Sequence, residues 1–98
     1  MYAVIRRYSG QGASQLMDEL VPLLDDVERI IRNVPGFASY SLVRTADGGA
    51  SIGIFQDKAG ADESSRQAAA FIRDRLSPAA RVAAEVSEGD VVLHIDSH

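Results

Sequence analysis

The chain has 98 residues, room for one domain over 1–98, and without cysteine it has no disulfide or thiolate metal site to support a small core. Its net charge of −4, with charges of both signs mixed along the chain, argues against a nucleic-acid binder and against an anionic membrane as partner. No run approaches the ~20 apolar residues of a membrane span, and the first residues lack the pattern of a signal peptide, so a cytoplasmic location is expected.

Tyr2 to Tyr8 is rich in β-formers and ends at the turn cluster Ser9-Gly10-Gln11-Gly12. Ser14 is the expected N-cap of a helix whose apolar residues, Leu16, Leu20, Leu23, Leu24, Val27, Ile30, Ile31 and Val34, keep the spacing of one buried face. Asp25 with Arg29, and Glu28 with Arg32, are expected to pair on its wet side. Pro22 falls inside this stretch and predicts a kink or a break there. The helix must end at Val34-Pro35-Gly36-Phe37, since Pro35 pushes Val34 out of helical geometry and Gly36 lets the chain reverse.

Phe37 to Arg44 reads as a second strand, Asp47-Gly48-Gly49 as a tight turn, and Ala50 to Gln56 as a third strand. Asp57 is the expected cap of a second helix, with Gly60 loosening its first turn. Ala61, Ala68, Phe71, Ile72 and Leu76 form its apolar face, Asp62 pairs with Arg66 outside, and Ser77-Pro78 ends it. A last strand is expected over Val82 to Ile95, with a bulge or bend at Gly89.

The order βαββαβ predicts a ferredoxin-like α+β fold, a four-stranded antiparallel sheet with two helices on one face. Strand parity then poses a problem. Tyr40 and Leu42 oppose Phe37 and Val43; Ile52 and Ile54 oppose Phe55; Val92 opposes Val91, Leu93 and Ile95. Both sheet faces carry apolar groups, yet the helices cover only one, so a homodimer is expected to bury the other.

The βαββαβ order, the Val34-Pro35-Gly36-Phe37 helix exit, the passage from Ile54 to Ala61 and the segment from Glu85 to His94 resemble the antibiotic-biosynthesis-monooxygenase-like domains of the dimeric α+β barrel superfamily, in particular small uncharacterised bacterial members. The resemblance implies two sheets face to face in a homodimer and a pocket between sheet and helices in each subunit. It also implies a range of activities: cofactor-independent oxygenation of aromatic molecules, haem degradation, isomerisation, or none. Oxygenase and haem-degrading members typically use a first-strand Asn and a Trp. Here the first strand offers Arg6 and Arg7, there is no Trp, and the single Asn, Asn33, ends the first helix.

Arg6 and Arg7 lie in mid-strand, so one must face the interior, where it needs either an acidic partner or the carboxylate or phenolate of a ligand. Tyr2, Tyr8 and Tyr40 are amphipathic rings suited to a pocket wall or to the core. If even-numbered residues face inward, Tyr2, Arg6 and Tyr8 converge, and these with Tyr40 are the candidate substrate-binding residues. His94, a strand residue in this reading, is the candidate general base. His94, Asp96 and His98 share one face of an extended strand, a pattern also expected of a fraying terminus; no metal is expected. The reading is a dimeric domain without cofactors that binds a small aromatic or planar ligand as a monooxygenase-like enzyme, or alternatively binds or assembles without catalysis.

Overall fold

A computed structural model describes residues 1–97. Strands β1 (Tyr2–Ser9), β2 (Phe37–Thr45), β3 (Gly48–Phe55) and β4 (Glu85–Asp90) alternate with helices α1 (Ala13–Leu20), α2 (Leu24–Arg32) and α3 (Lys58–Arg75) in the expected order. The strands form one antiparallel sheet, β2-β3-β1-β4. Helices cover one of its faces, giving the ferredoxin-like α+β fold.

Pro22 breaks the first helical stretch, and Val21–Leu23 form a 3-10 turn between α1 and α2. The break resets the helical phase, so Leu24 faces solvent instead of joining the buried face. The expected cap also moves. Gly12 caps α1 with φ 89°, its carbonyl accepting from the Leu16 amide at 2.9 Å, and Ser14 is exposed inside the first turn. Arg29 pairs with Asp26 rather than Asp25, while Glu28 and Arg32 pair as expected at 2.8 Å. Asp57 caps α3, accepting from the Gly60 amide at 3.1 Å. Gly60 is therefore held rather than loose. On α3, Asp62 pairs with Lys58 and Arg66 with Glu63, each one helical turn back toward the N-terminus, in place of the Asp62–Arg66 pair.

Glycines 48 and 49 belong to β3, and the hairpin turn is the two residues Ala46-Asp47. A bulge at Ala38 offsets Phe37 from Ser39 in the register with β3. Because one extra residue inverts the alternation, Phe37 lies on the helix side with Tyr40, packing against Phe55 edge-on at 6.3 Å. Parity counted straight through the strand places it on the other face. The last strand is short, and Gly89 sits opposite Ala3 in unbroken register, with no bulge. Val91 to Ser97 pair with no strand. The alternation expected of Val91, Val92, Leu93 and Ile95 therefore describes no sheet face.

Val4, Tyr8 and Phe55 point toward the helices and pack in clusters with Leu16, Val34, Ala61 and Leu76. A third cluster joins α1 to α3 through Met17, Leu20 and Phe71. Fully burying a side chain such as Val4 or Phe55 contributes about 1.5–3 kcal/mol. On the opposite face Ile5, Ile52 and Val43 remain exposed, with Ile5 directly opposite Ile52 and Val43 opposite Ala50. The uncovered face expected from β3 is thus present.

Carboxylates tie the helices together. Glu19 on α1 accepts from the Ser77 amide at 2.7 Å and the Ser77 hydroxyl at 2.6 Å, just past α3. Asp26 on α2 accepts from Arg75 of α3 at 2.8 Å. The bonds from Ser77, with one from Gln15, hold the Glu19 carboxyl below its ordinary range; Arg75 and then Arg29 do so for Asp26. Groups whose values fall on folding stabilise above the ordinary carboxylate range and lose that effect as pH falls through their lowered values. The melting temperature is therefore expected to fall between pH 5 and pH 3, and less steeply in Glu19→Gln. A flat profile over that interval contradicts the assignment.

Candidate functional site

The alternation of β1 decides which arginine enters the protein. Arg7 is exposed, whereas Arg6 is 2% exposed and points toward α3. Its Nη1 donates to the Ser64 hydroxyl at 3.2 Å and the Ser65 hydroxyl at 3.0 Å. Ser64 in turn donates to the Ala61 carbonyl at 2.7 Å. Among the described residues Nε and Nη2 of Arg6 have no partner, nor has the buried hydroxyl of Ser51, the residue opposite Arg6 in the sheet. None of the ion pairs among the described residues includes Arg6. A buried guanidinium held only by neutral hydroxyls is costly.

Two cavities meet at Tyr8, which lines both together with Ala68 and Ile72. One is a narrow apolar cleft of about 40 Å³ between sheet and helices, walled by Leu16, Tyr40, Leu42 and Phe71. The other, of about 400 Å³, lies between β1, α3 and residues 81–86 and is lined by Arg6, Ser65, Arg73, Arg81 and aliphatic side chains. That size and composition, apolar walls with a few polar groups, suit a small organic ligand. A wider groove of about 680 Å³ runs past Pro35 and Gly36 to the start of α3, but neither Arg6 nor Ser51 lines it.

Burial pushes the Tyr8 hydroxyl above the ordinary phenol value, with the charge of Arg6 and the approach of its guanidinium to the phenol oxygen, outside hydrogen-bond geometry, pulling the other way. Tyr8 is thus a neutral proton donor at pH 7. Tyr40 lines the narrow cleft, on the far side from Arg6. Tyr2 lies at the other end of β1, where its hydroxyl donates to Glu88 at 2.9 Å and Lys58 approaches its ring; it lines neither cavity. Tyr8 thus shares one cavity with Arg6 and the other with Tyr40, no single cavity holds all three, and Tyr2 lies apart from them.

His94 lies beyond β4, outside any strand, with Nε2 3.0 Å from Asp96 Oδ1. It lines neither cavity. His98 falls outside the described residues. Among the described residues no three His, Cys, Asp or Glu side chains are grouped to hold a metal ion. Asn33 caps α2, donating to the Arg29 carbonyl at 2.9 Å. Sequence reasoning missed Ser51, Ser64, Ser65, Arg73 and Arg81. A signal existed for Ser64, which interrupts the inward series Ala61, Ser64, Ala68 and Phe71 with a hydroxyl.

No family model matches the sequence, and no curated protein matches it. Solved structures do. They include a MhuD variant with two manganese protoporphyrin IX bound per active site (TM-score 0.66, 19% identity, 98% of each chain covered). The monooxygenase from ActVA-Orf6 of Streptomyces coelicolor, in complex with nanaomycin D, is similar at TM-score 0.61 and 18% identity, over 99% of this chain and 91% of that one. A variant of SnoaB, a cofactor-independent oxygenase from Streptomyces nogalater, gives 0.59 and 12%, over 98% and 96%. The chain shares the ferredoxin-like α+β fold of these proteins. At these identities the likeness defines architecture, and chemistry must be argued from this chain's own residues. Among the described residues no helix is long and apolar enough to cross a membrane.

Proposed function

We propose that the protein is a cytoplasmic homodimer that binds a small aromatic or planar molecule between its sheet and α3 and acts on it as a cofactor-independent, monooxygenase-like enzyme. The observation that carries this reading is the placement of Tyr8 and Arg6 side by side on the inner face of β1, lining a ligand-sized cavity with aliphatic walls. Aliphatic walls accept a planar apolar body, a neutral phenol donates to its oxygen, and a guanidinium stabilises charge developing there as an enolate or phenolate. The ligands in two structures of the same fold, a metalloporphyrin and nanaomycin D, support a planar occupant. His94 is proposed as the base for the dimer, in which the unpaired segment carrying it would lie against a second copy.

The test is native mass spectrometry of the freshly purified protein, followed by oxygen uptake with the molecule retained. Retention of a planar aromatic compound and its aerobic turnover are expected, with Tyr8→Phe slowing turnover about 100-fold. A retained compound without oxygen uptake favours a second reading, binding without catalysis. That reading draws on the chain's lack of tryptophan and on Asn33 serving as a helix cap.

A further inference from the structure

We infer that the cavity beside Arg6 is an anion site, and that its ligand is an amphipathic organic anion, an aromatic or alicyclic carboxylate, with the charged oxygens on Arg6 and the apolar body against Ile72 and Val82. This rests on the reading above only in placing a ligand in this cavity; it requires no turnover. Three observations carry it. First, Arg6 is almost wholly buried, yet two of its three guanidinium nitrogens have no partner. A carboxylate is the group that matches such a free fork, accepting two parallel N–H bonds. Second, Ser51 on the β3 side of Arg6 is also buried and unpaired. It does not line the cavity, but it supplies the guanidinium with no partner from that side, which leaves the cavity as the side from which one can come. Third, every charged residue lining the cavity is an arginine: Arg6, Arg73 and Arg81. In a chain of net charge −4, this is a local inversion of sign. Arg73 is exposed and already paired with Asp74 at 2.9 Å, so the exposed Arg81 is the one that attracts an anion without being its buried ligand, whereas Arg6 exchanges a costly unpaired state for a paired one when the anion arrives.

The aliphatic lining excludes inorganic phosphate or sulfate as the designed occupant. Such ions are strongly hydrated and would leave Ile72, Val82, Ala83 and Val86 facing water around them. A small aromatic acid satisfies both halves of the cavity.

Isothermal titration with 2-naphthoate and its neutral isostere 2-naphthamide tests the assignment. The wild-type protein is expected to bind the acid at least about tenfold more tightly than the amide, the worth of a charge-assisted hydrogen bond. Arg6→Met should abolish that preference, Arg6→Lys should restore part of it, and Arg81→Gln should weaken binding of the acid by a few-fold and lose that difference at high salt. Arg6→Met should also keep or raise the melting temperature, because it removes an unpaired buried charge. Equal affinity for the two probes, binding of neither, or a preference that survives in Arg6→Met overturns the anion site. Tight, Arg6-dependent binding of acids with no oxygen uptake by any of them sinks the catalytic reading and leaves this one standing.

Discussion

Gly48→Ala is expected to cost a large part of the stability of this domain. Gly48 opens β3, pairing with Ser9 of β1 and Thr45 of β2 at once. Its φ is 149°, where residues with a side chain are strained by about 1–3 kcal/mol. A Cβ there would run into the Tyr8 carbonyl oxygen and stand 2.6 Å from the Ala13 Cβ. Both obstacles are fixed: one is backbone in a central strand, the other the first residue of α1. Relief would require β1 to part from β3, or α1 to lift from the sheet. Overpacking adds about 1–3 kcal/mol, so the sum is about 2–6 kcal/mol out of the 5–15 typical of a domain. The melting temperature should fall by at least about 10 °C. Gly89→Ala is the control, because a Cβ there meets nothing within 4 Å and the residue has no positive φ. A Gly48→Ala protein melting within about 2 °C of wild type would show that the packing around this residue is wrong.

The second large effect is on assembly. Ile52 lies at the middle of the uncovered sheet face, between Ile5 of β1 and Ser41 of β2. In the proposed dimer this face is buried, and two-fold symmetry places any substitution in the interface twice. Each unpaired carboxylate then loses its water for an apolar surface, a penalty of several kcal/mol. Ile52→Glu should therefore raise the dimer dissociation constant by at least about 1000-fold, equivalent to about 4 kcal/mol. Light scattering at micromolar concentration should report a dimer for wild type and a monomer for the variant. Since the Ile52 side chain is already exposed in the single chain, the circular dichroism of the two should coincide. A monomer mass for wild type removes the dimer from the proposal; a dimer mass for both removes this face as its interface.

Element order and helix boundaries were legible because they depend on local chemistry. Pro22 breaks a helix whatever surrounds it, Pro35 ends one, and the Asp57 carboxylate needs only the amide of Gly60 three residues on. Pairings on helix surfaces were read less well. Asp25 or Asp26 was equally reachable for Arg29, and the choice fell to Asp26, which also binds Arg75 from α3. The Ala38 bulge was invisible, since a local sequence does not say how a strand registers with its neighbour, and that single residue reversed the side assigned to Phe37. The end of β4 failed for a related reason. Val91 to Ile95 have strand composition, but the ladder with β1 stops at the Tyr2–Asp90 pair, followed only by a bond from the Val91 amide to the Met1 carbonyl at 2.9 Å.

Within the candidate site the sequence determined that one of two adjacent arginines must point inward, because side chains alternate along a strand. It also determined that Tyr8 would share the side of Arg6. Only the tertiary structure decided that this side is the even-numbered one, that Arg6 meets hydroxyls rather than a carboxylate, and that Ser51 lies unpaired beside it. These facts depend on which residues of β3 and α3 arrive opposite β1, a matter of packing between segments 45 or more positions apart. The net charge of −4 belongs to the whole chain, whereas the cavity's arginine lining exists only because folding brings Arg6, Arg73 and Arg81 around one space.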